Sequence, residues 1–367
     1  MRAFVHETLP ARVVFGAGAV EQLPGEVDRL GARRVLVLST RGQRGLADEI
    51  AGRLGGRVVG VFDRAAMHVP AELAEEARGT ASTLAADACL AVGGGSTIGL
   101  AKAIALTSGL PVVALPTTYS GSEMTPIYGL TEGGQKRTGR DPRVLPRVVV
   151  YDPLLTRSLP ARVAGPSGMN AIAHCVEALY AKDGNPIVAL LAEEGIRALS
   201  AALPAVVREP AGLEARGEAL YGAMLAGTCL GAVGMALHHK LCHTLGGSFG
   251  LPHAETHAVI LPHAAAYNRG AAPDALGRVA RALGVADAAA GLFDLARRAG
   301  APASLAELGM READLSRAAH LAAENPYWNP RPVEEAAILA LLRDAQAGRR
   351  PTPEGASPQP AGPARTP

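Results

Sequence analysis

Aromatic side chains are scarce in this 367-residue chain: Phe, Tyr and Trp make up 4% of it, with a single Trp. Ala and Gly dominate instead, so the packing should be close and rich in helices. Cysteine is also sparse. Cys89, Cys175, Cys229 and Cys242 fall at spacings that form no metal or disulfide pattern. No stretch reaches the roughly 20 consecutive apolar residues needed to span a bilayer. The first residues, Met1 to Glu7, lack the apolar run of a secretion signal. The expectation is a cytoplasmic protein with reduced thiols. Charge of one sign is lacking too, and a net +2 argues against nucleic acid or a membrane surface as partner. What remains, 48% hydrophobic and 19% charged residues, is a globular composition long enough for two cores.

The first ~150 residues alternate short apolar runs with helical patterns. Arg34 to Ser39, Val58 to Phe62, Cys89 to Val92, Pro111 to Leu115 and Val148 to Tyr151 read as buried strands. Leu46 to Leu54 and Ala71 to Leu84 carry apolar residues at helical spacing. Such alternation predicts a mostly parallel sheet covered by helices. After about residue 160 the strand signals stop. Ala171–Tyr180, Ile187–Leu203, Leu220–Leu230, Ala275–Leu283 and Val333–Leu342 all read as helices. The expected organisation is an α/β domain over 1–160, an all-helical domain over 161–348, and a Pro-, Gly- and Arg-rich tail over 349–367 unable to bury a core.

Gly93-Gly94-Gly95-Ser96-Thr97 follows one predicted strand and leads into a helical run. Glycines at such a turn let backbone N–H groups approach a phosphate, and the helix dipole favours the anion. A second loop, with Thr117, Thr118, Tyr119 and Ser122, follows the next strand and offers hydroxyls to ribose, phosphate or amide. Ligands of α/β sheets bind at the carboxyl ends of strands. A strand further upstream ends in Ser39-Thr40-Arg41, with no carboxylate to repel a 2′-phosphate. NADH and NADPH are therefore both expected as cofactor.

Seven of the ten histidines lie between His174 and His263. Asn170 and His174 are four apart, as are His239 and His243, and His253 and His257. On helices each pair shares one face, the usual way for helical domains to build metal or acid–base sites.

Together these features resemble the iron-containing alcohol dehydrogenases, from about Arg12 to Leu342. Val13 to Gly18 looks like that family's opening hairpin, and Asp87 to Ser96 like its phosphate loop. Pro116-Thr117-Thr118 looks like its second cofactor loop, and Asp152-Pro153 like its link into a helical domain. The resemblance implies a dehydroquinate synthase-like fold with the active site between the domains. It implies a cofactor-facing role for Lys136, sixteen residues before Asp152, and a homodimer. It also implies a metal site at positions 170, 174, 239 and 253, with His243 beside the nicotinamide. The family's aspartate is replaced here by Asn170, a neutral and poor ligand for a transition-metal dication.

Further departures are Gly99 in place of an aspartate, a shortened second loop, the added His257, and the segment Glu324 to Pro332. They resemble the maleylacetate reductase group within the family. That resemblance implies NAD(P)H-dependent reduction of the C=C bond of maleylacetate to 3-oxoadipate in aromatic-compound degradation, without a required metal. Expected roles follow. His243 leads as acid or hydrogen-bond donor, with His253, His239, His174 and Asn170 completing the pocket. His257, Tyr327 and Arg331 bind the dicarboxylate. The competing readings are a metal-dependent alcohol or glycerol dehydrogenase, a lyase on the same scaffold, and a histidine-rich metal-binding protein, which would leave both cofactor loops unexplained.

Overall fold

The computed structural model describes residues 12–133 and 135–352 together with Phe4, His6 and Leu9; the side chains of Gln135 and Lys136 lie outside that description. The strands are β1 Arg12–Phe15, β2 Val35–Leu38, β3 Val58–Phe62, β4 Ala88–Gly93, β5 Val112–Pro116, β6 Ile127–Glu132, β7 Gln135–Arg140 and β8 Val148–Tyr151. Helices α1 Leu23–Arg29, α2 Arg44–Leu54, α3 Ala71–Thr83 and α4 Gly95–Ser108 run between them. Helices α5 Ala161–Leu179, α6 Pro186–Arg208, α7 Leu213–Ala232, α8 Leu237–Phe249 and α9 His253–Asn268 follow, then α10 Pro273–Leu283, α11 Ala288–Arg298, α12 Leu315–Glu324 and α13 Glu335–Gln346. Among the described residues no single helix is long and apolar enough to cross a membrane.

Six strands form one parallel sheet in the order β1-β8-β5-β4-β2-β3. Every residue of β2, β4, β5 and β8 is buried, which is why these strands read as unbroken apolar runs. Side chains alternate between two cores. Val35, Val37, Leu90 and Val92 pack with Leu23, Val27, Ile50 and Leu54 from α1 and α2. Leu36, Leu38, Cys89 and Ala91 face the other way, into the core that continues into the helical half. The chain steps from β2 out to β3, then returns to place β4 on the opposite side of β2. The carboxyl ends of β2 and β4 thus flank a topological switch point, where α/β sheets open a crevice for ligands.

β1, in the expected opening hairpin, pairs in parallel with β8, Arg12 opposite Val148 and Phe15 opposite Tyr151, and the residues that would form the other arm of that hairpin lie largely outside the described residues. An antiparallel hairpin does occur, at β6 and β7, with Ile127 opposite Arg140. Its composition, rich in Lys, Arg, Glu and Gly, hides it from an apolar-run reading.

The helical half depends on close backbone approach. Gly165, Pro166, Ser167 and Gly168 sit inside α5 despite poor helix propensity. A Cβ at Gly165 would collide with the Ala299 carbonyl oxygen, and one at Gly168 with the Leu203 side chain. Tertiary packing therefore outweighs propensity here. Arg216 of α7, fully buried, donates to the carbonyls of Thr156, Leu159 (3.3 Å) and Pro210 (2.7 Å), binding the connector between the halves to the bundle. A third core joins α8, α9, α12 and α13. The start of the expected tail is held: Arg350 donates to both oxygens of Asp294 (2.8 and 2.7 Å), and Arg269 donates to the Thr352 carbonyl at 2.9 Å. The rest of that tail, 353–367, lies outside the described residues. All four cysteines are buried and free.

Candidate active site

The two glycine- and hydroxyl-rich loops meet at the switch point. Gly93 ends β4, Gly94 caps α4, and Gly95, Ser96 and Thr97 form its first turn. The first-turn N–H groups of a helix lack intrahelical partners and favour an anion. Glycine is required by crowding: a Cβ at Gly93 would meet Thr97 and Gln43, and one at Gly94 would lie 2.7 Å from Thr118 Oγ1. The Gly93 carbonyl accepts from Thr117 N at 3.1 Å, and Gln43 Nε2 donates to Thr117 Oγ1 at 2.6 Å. The ends of β2, β4 and β5 are thereby joined in one surface. Buried hydroxyls of Ser39 and Thr97 have no protein hydrogen-bond partner. These residues fit a dinucleotide. Gln43, missed in the sequence, belongs with them; its signal is its place two residues beyond Arg41, in the loop after β2.

Ser39 is fully buried while Arg41 is exposed, so Arg41 is the side chain able to meet a 2′-phosphate. NADH and NADPH are expected to serve within about a hundredfold of each other in kcat/KM, or some 2.7 kcal/mol. Arg41→Glu should depress NADPH use selectively. Comparing both cofactors on both proteins checks this, and a larger NADH preference in the unaltered chain would contradict it.

The loop after β5 touches the helical half through glycine. Gly121 (φ +76°) lies against Gly227 of α7, and a Cβ added to Gly121 would be 2.9 Å from Gly227 Cα and 3.4 Å from His174 Nδ1. A side chain at either glycine would separate the cofactor loop from the histidines. Lys102 of α4, fully buried, holds the same loop: Nζ donates to Ser122 O (2.6 Å), Thr125 O (2.8 Å), Thr125 Oγ1 (2.9 Å) and Ile127 O (2.8 Å). Burial pushes its pKa down to about 7. Ser122 thus enters the loop through its carbonyl. Tyr119 is fully enclosed, near Arg216 and Thr156, and is a core side chain rather than a wall of the cleft. The side chain of Lys136 lies outside the described residues.

The histidine pairs do converge. His174 of α5 stacks on His239 of α8, ring centroids 5.1 Å apart, and His239 meets His243 at 6.1 Å edge to face. His253, the first residue of α9, lies 4.4 Å from His257, which is 5.0 Å from His239. Behind them, His238 Nε2 and His257 Nδ1 share a hydrogen bond of 2.9 Å. Burial, reinforced by the neighbouring imidazoles, holds His174, His238 and His257 well below the usual histidine pKa. They are neutral at pH 7. His257 is fully buried beneath His253, its Nδ1 shared with His238 and its Nε2 without a protein partner.

Glu177 organises this cluster and was missed in the sequence. Fully buried on α5, it accepts from Ala236 N, His238 N and His239 Nδ1, each at 2.7 Å. One carboxylate therefore caps the N-terminus of α8 and holds the Nδ1 proton of His239. The available signal was spacing: Glu177 stands three residues beyond His174 and seven beyond Asn170, on one helix face.

A cavity of about 120 Å³ opens beside the cluster, lined by His243, His253, Cys242, Gly246 and Gly247 from the helical half and by His68 and Thr131 from the sheet half. Tyr327 reaches it through His243 Nδ1, 3.1 Å from its hydroxyl. Arg331 does not join them. It is exposed, donates to the Tyr267 carbonyl at 3.1 Å and covers the Tyr267 ring at 4.1 Å. It anchors the 325–334 segment to α9, where Asn329 and Asn268 also exchange two hydrogen bonds (2.9 and 2.7 Å). His68 and Val69 have φ of +64° and +46°, left-handed geometry that costs non-glycine residues of order 1–3 kcal/mol each.

Asn170, His174, His239 and His253 occupy the positions where the resemblance implies a metal. Asn170 Oδ1, His174 Nδ1 and His239 Nε2 are buried without protein partners and could meet a polar ligand. None of the four residues is anionic, and Glu177, the carboxylate beside them, already serves three donors. Three neutral imidazoles can still hold zinc, and Asn170 removes the anionic ligand that an aspartate would supply.

Residues 10–153 match the model for iron-containing alcohol dehydrogenase, and residues 165–346 that for the C-terminal part of the Fe-containing alcohol dehydrogenase family. A maleylacetate reductase of Burkholderia cepacia is 61% identical, over 96% of this chain and 100% of that protein. The crystal structure of maleylacetate reductase from Rhizobium sp. strain MTP-10005 superposes with a TM-score of 0.92 at 55% identity, covering 96% of this chain and 100% of that one. The maleylacetate reductase structure from Agrobacterium tumefaciens gives 0.92 at 54%, over 96% and 100%. The chain belongs to the iron-containing alcohol dehydrogenase family.

Proposed function

We propose that this chain reduces the carbon–carbon double bond of maleylacetate to give 3-oxoadipate, with NADH or NADPH as reductant. The observation that carries the substrate assignment is the 61% identity, over essentially the whole chain, to a maleylacetate reductase. Maleylacetate is an enone flanked by two carboxylates. A reduced nicotinamide held by the two loops would supply a hydride to the alkene carbon β to the ketone. The substrate is left as an enolate, which takes a proton at the carbon next to the ketone. His243 lines the cavity and can donate to the enolate or deliver the proton. Neutral His174 and Asn170 present no negative charge to a dianion. An enolate spreads its charge over carbon and oxygen, so it needs less help from a Lewis acid than an alkoxide does.

NADH oxidation with maleylacetate is expected to continue at an unchanged rate after exhaustive chelation. Asn170→Asp should raise metal affinity and slow reduction, because it sets a carboxylate beside a dianion. Activity lost with chelator and restored by iron or zinc would return the chain to the metal-dependent alcohol dehydrogenase reading.

A further inference from the structure

We propose that His68 is a specificity-determining residue that binds one terminal carboxylate of the substrate from the sheet side of the cleft. This rests on the maleylacetate reading. A six-carbon dianion needs an anchor for each end, and the reacting carbons in between must face the helical half. His243 and His253 form that side of the cavity, while His68 and Thr131 form the opposite one. Arg331, the side chain expected to clamp a carboxylate, is committed to Tyr267.

The backbone around His68 is over-determined. Positive φ at a histidine and again at a β-branched valine is unfavourable, and persists only where neighbours enforce it. Thr131 Oγ1 donates to the His68 carbonyl at 2.8 Å, and Thr131 N donates to the Val69 carbonyl at 3.1 Å. Val69 is buried against Gly99 of α4, where an added Cβ would lie 2.8 Å from Val69 Cγ2. Gly99 thus gives Val69 its seat. Hairpin and helix together fix a strained turn that lines the cavity shared with His243 and His253.

Steady-state kinetics of the unaltered chain, His68→Ala, His68→Gln and Gly99→Ala test this. His68→Ala should raise KM for maleylacetate by about ten- to hundredfold, the range of a lost hydrogen bond to a charged group. The KM rise should exceed any fall in kcat, and NADH affinity should stay within about twofold. Gln, which keeps a donor, should recover part of the loss. Gly99→Ala, which displaces the turn without touching the imidazole, should raise KM in the same way. Inhibition by 3-oxoadipate should weaken in parallel with KM. Levulinate and acetoacetate each retain one of its two carboxylates, and only one of them should weaken with His68→Ala. A KM and 3-oxoadipate inhibition within twofold of the unaltered chain would overturn the assignment, as would a matching loss of NADH affinity. No turnover of maleylacetate by the unaltered chain would overturn the reading it rests on, and this inference with it.

Discussion

His243→Ala is expected to lower kcat for maleylacetate reduction by about 10²- to 10⁴-fold, the usual contribution of a general acid, with little change in NADH affinity. The imidazole lines the cavity, on the α8 turn next to His239, and its Nδ1 lies 3.1 Å from the Tyr327 hydroxyl. With that hydroxyl donating, Nδ1 is the acceptor and Nε2 carries the proton, which it can give to a ligand. The cofactor loops lie on other elements, so binding of NADH should survive. Tyr327→Phe should cost less, about tenfold, because it frees the tautomer without removing the donor. Measuring kcat, NADH affinity and melting temperature on one preparation distinguishes chemistry from packing. A folded His243→Ala protein with near-normal kcat would shift the role to His253 or His257.

Glu177→Ala should destabilise the fold by about 3 kcal/mol or more and abolish most turnover. Three buried donors lose their acceptor at once: two N–H groups at the start of α8 and His239 Nδ1. Each unsatisfied buried donor costs roughly 1–3 kcal/mol. The helix also loses a negative charge at its positive end. Glu177→Gln keeps one acceptor oxygen and turns an amide N–H₂ toward the remaining donors, so a partial loss is expected. Denaturant unfolding of both variants, with kcat on the folded fraction, checks this. A change below about 1 kcal/mol for the alanine variant would show that water or a neighbouring group takes over the three bonds.

Much of this was legible in the chain. Strands buried on both faces read as unbroken apolar runs, and β3 falls exactly where Val58 to Phe62 predicts it. The i,i+4 histidine pairs lie on helices and their rings gather in one cluster. What spacing cannot show is depth. His253 and His257 share a face, yet His257 is buried and hydrogen-bonded to His238. Nor can it show commitments made across the fold, such as Arg331 to Tyr267 or Glu177 to α8. The first turns of α5 were hidden because Gly165 to Gly168 serve contacts with Ala299 and Leu203, which local propensity does not register. Helices α11 and α12 passed unmarked, although each has a clear apolar face built mostly from alanine and leucine.

The pairing of β1 with β8 bears on how the molecule is made. Arg12 pairs with Val148, so β1 has this neighbour only after the intervening 135 residues have been synthesised. Until then β5 also lacks one neighbour, since β8 is the strand that lies between β5 and β1. Pairings this distant in sequence are slow to close and leave apolar edges open meanwhile. Asp152 then completes the sheet, accepting from Gly18 N and Val20 N at 3.1 Å as the connector to α5 begins. The order of the elements in the chain therefore places the cofactor crevice before the clustered histidines His174, His238, His239, His243, His253 and His257, which lie on α5, α8 and α9.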